Sequence, residues 1–108
     1  MNPPPEFVTA LQASIRNGIG NTLGVQVMET LLSLLKQPFH LYAEKPFEFH
    51  RDLHGIFGSA SETLEKMIVK ELFRKLNIRY PANELGFETC VNLAREDLAM
   101  GQKELLQK

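Results

Sequence analysis

The sequence has little of several features that would assign a chemistry to it. Cys90 is the one cysteine among 108 residues, so the chain can form neither an internal disulfide nor a cysteine-rich zinc site. A lone cysteine is typical of a reducing compartment, and we expect a cytoplasmic protein. No run approaches the roughly 20 apolar residues that cross a bilayer. The first residues lack the basic and apolar regions of a secretory signal, so we expect no leader and no membrane partner.

Charge of one sign is also scarce. The 12 basic and 13 acidic side chains give a formal net charge of -1, whereas a duplex-binding domain usually carries a basic excess that neutralises phosphates. We therefore expect no nucleic-acid partner. Lys66, Lys70 and Arg74 recur every four residues and form a basic face on a predicted helix. Acidic residues interleave with this basic face, and we interpret it as a solvated surface.

The composition is that of an ordinary globular domain. Hydrophobic residues make up 44% and charged residues 23% of the chain, and a chain of this length can bury a core of its own. No stretch alternates apolar and polar residues long enough to require a strand, whereas apolar residues recur at spacings of three and four. We predict an all-α, single-domain bundle of four to five helices over residues 1–108.

Glycines and prolines divide the first half of the chain into two predicted helices. Glycine favours the left-handed conformation just after a helix, so the first helix is predicted to end at Asn17-Gly18 and to be followed by a short hinge. The second helix is predicted to begin after a cap at Asn21 or Thr22 and to end at Gln37-Pro38. Because this second helix is apolar on most sides, we expect it to be central.

The second half of the chain contains three further predicted helices. Residues 38–46 are predicted to be an irregular connection, and Pro46–Phe57 a helix. Ser59 and Glu62 fit the capping box, so a helix is predicted from about Ala60 to Leu76. The last helix is predicted to follow a cap at Asn83.

The last predicted helix carries an apolar stripe with a seven-residue period. The stripe consists of Phe87, Val91, Ala94, Leu98, Gly101 and Leu105. This period favours pairing of two helices, and a glycine within it permits close approach. We therefore take the stripe as the candidate interaction surface for a second copy or another protein. Packing against the chain's own bundle is the alternative.

Residues Phe49–Phe73 carry a recognisable pattern. The pattern consists of Ile56-Phe57-Gly58, then Leu64-Glu65-Lys66, then Ile68 and Lys70-Glu71-Leu72. On these residues the segment resembles a family of small archaeal helical domains of uncharacterised function, some of which are described as output domains of signalling proteins. The resemblance implies a helical module that binds or relays. It implies no known reaction and supplies no catalytic residues.

Candidate sites for chemistry are few. His50 and His54 are four residues apart on a predicted helix, which is half of a metal site. Arg51 stands where a metalloprotease helix would need glutamate, and His40 is the one further histidine. We expect a solvated or packed histidine pair, with no bound metal or cofactor. Cys90 has no histidine after it, and we expect a buried, inert thiol.

These observations predict a non-catalytic module for protein interaction or signal output, with homodimerisation as one form of that interaction. No nucleophile elbow is present, and we expect no catalytic residues and no enzyme activity. The alternative is a domain that binds a small apolar molecule between its helices. That alternative is favoured by a surplus of phenylalanines, namely Phe39, Phe47, Phe49, Phe57 and Phe73.

Overall fold

The computed structural model describes residues 3–80 and 85–106, of which 101–106 are described by their backbone alone. The helices are α1 (Pro5–Leu23), α2 (Val25–Leu34), α3 (Phe39–Glu44), α4 (Pro46–Phe57), α5 (Ser61–Lys75) and α6 (Phe87–Leu106). No strand occurs in the described chain, so the all-α prediction is confirmed. Five helices have ten residues or more, and α3 has six. Within these residues, no helix is both long and apolar enough to cross a membrane.

The centre of the fold is α5, which packs against α1, α4 and α6. Its buried apolar side chains recur at spacings of three and four: Leu64, Ile68, Val69, Leu72 and Phe73. The facing helix α1 supplies a second stripe, with one residue every four: Phe7, Leu11, Ile15 and Ile19. Such stripes let each helix bury one side and keep the other in water, and together they form the hydrophobic core.

The first helix does not end at Gly18, and that prediction is wrong. α1 continues to Leu23, and Gly18 is buried within it. A Cβ at Gly18 would lie 3.1 Å from both the Cα and the backbone nitrogen of Ile68. The glycine therefore permits close approach of α1 and α5 and does not terminate a helix. The chain leaves α1 at Gly24, whose φ of 93° is a conformation that favours glycine.

The second helix is shorter and more exposed than predicted. α2 ends at Leu34, before Gln37-Pro38, and its buried residues are Met28 and Leu31. Within the described residues, its extensive packing is against α1 alone. α2 therefore lies at the edge of the bundle, and the expectation of a central helix is wrong, because one neighbour can cover only part of its apolar surface.

Two predicted helix caps are also wrong. Asn21 and Thr22 lie inside α1, where the Thr22 hydroxyl donates to the carbonyl four residues earlier at 2.7 Å. Ser59 makes no capping hydrogen bond, because Gly58–Ala60 forms a 3-10 turn that leads directly into α5. Ser61, the first residue of α5, is buried, and its Oγ has no hydrogen-bond partner in the described chain.

The connection over residues 38–46 is not irregular, because it contains α3. Tyr42 on α3 is fully buried, and its hydroxyl donates to Asp52 Oδ2 of α4 at 2.7 Å. The same hydroxyl accepts from the backbone N–H of Gln37 at 3.3 Å. Burial and the hydrogen bond to Asp52 raise the pKa of Tyr42 to about 12. These contacts fix α3 against α4, which spans Pro46–Phe57 as predicted.

α5 ends at Lys75, one residue before the predicted end. Asn77 follows with a φ of 57°. Its N–H donates to the carbonyl of Arg74 at 3.2 Å, and the N–H of Ile78 donates to the carbonyl of Phe73 at 2.9 Å. This pair of hydrogen bonds is a Schellman motif, which satisfies carbonyls at the end of the helix.

α6 closes the bundle by packing against α4 and α5. Its predicted cap, Asn83, lies outside the described residues. Arg95 of α6 reaches the end of α3, where its Nη1 donates to the carbonyls of Ala43 and Glu44, both at 2.8 Å. Because the last carbonyls of a helix lack partners within the helix, this contact ties α6 to α3.

Candidate functional site

The apolar stripe of α6 faces the inside of the bundle. Four of its residues are buried in the core or packed against it: Phe87, Val91, Ala94 and Leu98. The ring of Phe87 lies 5.4 Å from that of Phe49 on α4, measured between centroids. These four side chains pack on the chain's own helices, so in this fold most of their surface is covered by the bundle. The side chains at Gly101 and Leu105 lie outside the described part of the chain.

The two candidate metal ligands lie on one face of α4. The ring centroids of His50 and His54 are 6.0 Å apart. His50 Nδ1 lies 2.6 Å from Oε2 of Glu65 on α5, and this hydrogen bond fixes the orientation of the ring. His40 lines a different cleft, beside Pro4. Across residues 3–80 and 85–106, no group of three or more His, Cys, Asp or Glu side chains is placed to hold a metal ion.

The basic face lies on the solvent side of α5, as predicted. Lys66, Lys70 and Arg74 are all exposed. Arg74 Nη2 donates to Glu71 Oε2 at 2.7 Å, so part of the positive charge is offset by an acidic neighbour on the same helix. This arrangement weakens the field that a phosphate backbone would experience.

A cleft of about 280 Å³ lies where α5 meets α4 and the start of α6, and we call it the polar cleft. Its described lining consists of His50, Glu62, Glu65, Lys66, Val69, Tyr80, Leu85, Gly86, Phe87 and Cys90. The charged members come from α4 and α5, and the others from α5, α6 and the connection between them. The polar cleft therefore combines charged groups with an apolar surface.

Glu65 is the buried charged residue of the polar cleft, with 5% of its surface exposed. Burial raises the pKa of its carboxyl, the hydrogen bond and charge of His50 oppose that rise, and the charge of Glu62 adds to it. Glu65 was named only as part of the resembling pattern, and no site role was predicted for it. A signal was present, because Glu65 continues the buried spacing of Ser61, Ile68 and Leu72 along α5.

Cys90 also lines the polar cleft and is buried, as predicted. Its Sγ donates to the carbonyl of Leu85 at 3.7 Å. Burial raises the pKa of the Cys90 thiol, which disfavours the thiolate. A reactive cysteine needs the opposite shift, so this environment does not support a nucleophilic role.

A second cleft of about 410 Å³ lies between α2 and the C-terminal end of α4, and we call it the apolar cleft. It is lined by Val27, Leu31, Leu34, Ile56 and Phe57, together with Gln26 and Thr30. None of these side chains is charged. This surface was not predicted from the sequence, because α2 was expected at the centre of the bundle, where such side chains would be covered.

The surplus phenylalanines that favoured an apolar pocket are distributed over the molecule. Phe49 and Phe73 are buried, and Phe39 and Phe57 are partly buried against the core. Phe47 is exposed. Of the five, Phe57 lines the apolar cleft, so most of the surplus fills the core and does not surround one cavity.

Comparison of the chain with protein-family models, with curated proteins and with solved structures gives no match. The two clefts are therefore the features from which a function can be inferred.

Proposed function

We propose that this protein is a non-catalytic helical interaction module that associates with a second copy of itself through the apolar cleft. The observation that carries the proposal is the exposure of α2. Val27 and Leu34, which both line the apolar cleft, are 41% and 53% exposed. Large apolar side chains gathered on one exposed face mark interaction sites in soluble proteins. Their burial in an interface would supply a hydrophobic stabilisation that the monomer leaves unused.

The charge of this surface favours a second copy over a charged partner. None of the described residues that line the apolar cleft is charged, and Glu29 is the one charged residue of α2. In a twofold-symmetric interface each side chain meets residues of the same patch. A patch without charges pairs with itself without like-charge repulsion. Gln26 and Thr30 supply the polar edge that interfaces usually have.

The resemblance of Phe49–Phe73 to archaeal output domains fits the same surface. Ile56 and Phe57, which belong to the resembling pattern, form the α4 wall of the apolar cleft. A module that relays a signal needs a surface on which partners can exchange. We therefore place both self-association and a signal-output role at the apolar cleft.

Light scattering after size-exclusion chromatography, over a dilution series, tests the proposal. Twice the chain mass of 12.3 kDa is expected at high concentration, with a fall towards one chain mass on dilution. Leu34→Lys is expected to give one chain mass at every concentration with unchanged helicity, because it places a charge in the interface. Leu93→Lys is the matched control, since Leu93 is 42% exposed on α6 and does not line the cleft.

The two variants separate an interface from a general effect of added charge. Loss of association in Leu34→Lys with retention in Leu93→Lys supports the proposal. A wild-type protein that has one chain mass at all concentrations contradicts it, as does an equal effect of both substitutions.

The volume of the apolar cleft favours a second candidate function, the binding of a small apolar molecule. Ligand pockets typically occupy roughly 300–1,000 Å³, and the apolar cleft lies within this range at about 410 Å³. Native mass spectrometry distinguishes the two functions. A single chain that retains an added small mass supports ligand binding, whereas two chains without added mass support self-association.

A further inference from the structure

Among the described residues, one hydrogen-bond partner is found for the Glu65 carboxyl, which leaves part of its capacity unused. Its Oε2 accepts from His50 Nδ1 at 2.6 Å. A carboxylate offers about four lone-pair positions across its two oxygens, so one such contact leaves room for further donors. Because Glu65 lines the polar cleft, a molecule bound there can supply a donor.

The charges around the polar cleft favour a cation. Glu62 and Glu65 are both lining residues, and Glu62 lies close enough to Glu65 to raise the pKa of the Glu65 carboxyl. Among the lining residues Lys66 is the permanent cation, and His50 adds positive charge only when protonated. Among the described lining residues, the carboxyl groups of Glu62 and Glu65 therefore outnumber the one permanent cation. The local excess of negative charge attracts a positively charged ligand.

The polar cleft also has an apolar wall, which adjoins Tyr80, Leu85 and Gly86. Val69, Phe87 and Cys90 line it and are buried in the core. At about 280 Å³, the polar cleft is close to the lower end of the roughly 300–1,000 Å³ of typical ligand pockets. A molecule with one ring is of suitable size. A single-ring amine would meet both the charged and the apolar walls.

We propose that the polar cleft binds a small primary amine with an apolar body, whose ammonium donates to Glu65 and whose body packs on Val69 and Phe87. The polar cleft is lined by different residues from the apolar cleft. Amine binding is therefore independent of self-association, and either proposal can fail without the other.

Titration of the isotope-labelled full chain with benzylamine, followed by NMR near neutral pH, tests the proposal. Saturable shifts are expected at the amides of Val69, Phe87 and Cys90. Benzyl alcohol has a similar shape without the charge, and it is expected to bind about tenfold more weakly, because hydrogen bonds between charged partners are roughly twice as strong as neutral ones.

Glu65→Gln supplies the matched test at the proposed anchor. It is expected to weaken benzylamine binding about tenfold, because charge-assisted hydrogen bonds are the stronger class, and to leave benzyl alcohol binding unchanged. Glu71→Gln is the control, since it removes the same charge from the same helix at a residue that bonds Arg74 outside the cleft. Thermal melting of both variants verifies that they remain folded.

The pH dependence of the wild type gives a readout that needs no variant. Affinity for benzylamine is expected to fall as the pH drops through the titration of Glu65, whose pKa lies above its ordinary value. The charged and titratable neighbours of Glu65 are Glu62 and Lys66 on α5 and His50 and His54 on α4. Benzyl alcohol binding is expected to stay constant with pH. Equal affinity for the two probes, full binding by Glu65→Gln, or no saturable shift with benzylamine overturns the proposal.

Discussion

α2 and α5 occupy the opposite positions to those that their compositions predict. α2 has 10 residues and one charge, Glu29, yet it lies at the edge with Met28 and Leu31 as its buried residues. α5 has 15 residues and carries charges on every turn, yet it is the centre of the fold. Total hydrophobicity therefore does not decide which helix becomes central.

The arrangement of apolar side chains explains the difference. Along α5 all of them except Met67 keep to one side, and of its charged residues Glu65 alone is buried, so neighbouring helices can cover the apolar stripe. Along α2 the apolar side chains spread around the helix, and α1 covers only part of them. The spacing of apolar residues predicts what a helix buries in its own fold. The uncovered remainder is surface that a partner can use.

The largest expected effect is the loss of a side chain at the α1–α5 contact. Ile68→Ala should destabilise the fold by about 2–5 kcal/mol, because it leaves a cavity among packed groups. Leu34→Ala removes a side chain with the same number of atoms as that of Ile68, but from the exposed face of α2. It should change stability by about 0.5 kcal/mol or less. Urea denaturation at low protein concentration measures both. Similar losses from the two variants would show that the α2 face is buried even in the monomer.

Replacing either of two glycines in α1 by alanine is expected to give the next largest difference in stability. Alanine is favoured over glycine in a helix by about 1 kcal/mol. At Gly20 the added Cβ would lie 3.5 Å from Met28 Sδ of α2, an ordinary contact, so Gly20→Ala should stabilise by about that amount. At Gly18 the Cβ would lie 3.1 Å from backbone atoms of Ile68, and overpacking of this kind costs about 1–3 kcal/mol.

Gly18→Ala is therefore expected to lose up to about 2 kcal/mol on balance, while Gly20→Ala gains. Thermal unfolding of the two variants beside the wild type measures the difference. An equal gain in stability from both substitutions would contradict this expectation. It would show that α5 moves away from a new Cβ at residue 18 as readily as the Met28 side chain adjusts to one at residue 20.

Features of the fold that depend on local spacing could be predicted from the sequence. Pro46–Phe57 was predicted with its observed bounds, because a proline begins that helix and a glycine follows it. The end of α5 was predicted one residue late, at Leu76, and Asn77 beyond it adopts the left-handed conformation that asparagine tolerates after a helix. These signals act within a few residues and do not depend on the rest of the fold.

Features that depend on which helices become neighbours could not be predicted. Glycine is compatible with both a helix end and a close contact between two helices. At Gly18 only the position of Ile68 shows which of the two roles applies. The stripe that begins at Phe87 has the same pattern whether it packs inside the bundle or outside it. The contact between His50 and Glu65 joins residues fifteen positions apart, on helices whose pairing no local pattern specifies.

The smallest expected effect is a change in stability with pH that comes from Glu65, the one buried charged residue of α5. Its sign follows from the direction in which the pKa of Glu65 is shifted. Burial raises the pKa of Glu65 above its ordinary value of 4.5, so the folded state holds the proton more tightly than the unfolded state. The resulting stabilisation is present below pH 4.5 and is lost as the pH rises through the raised pKa. Glu65→Gln keeps an acceptor for His50 Nδ1–H and carries no charge.

The free energy of unfolding of Glu65→Gln minus that of the wild type should therefore increase as the pH rises above 4.5, and then level off. The increase should be smaller than the preceding effects, because the hydrogen bond from His50 offsets part of the cost of burial. Glu29→Gln removes an exposed carboxylate from α2 and is the reference. A difference for Glu65→Gln that does not change with pH would mean that His50 compensates fully, and that α5 buries its carboxylate without loss of stability.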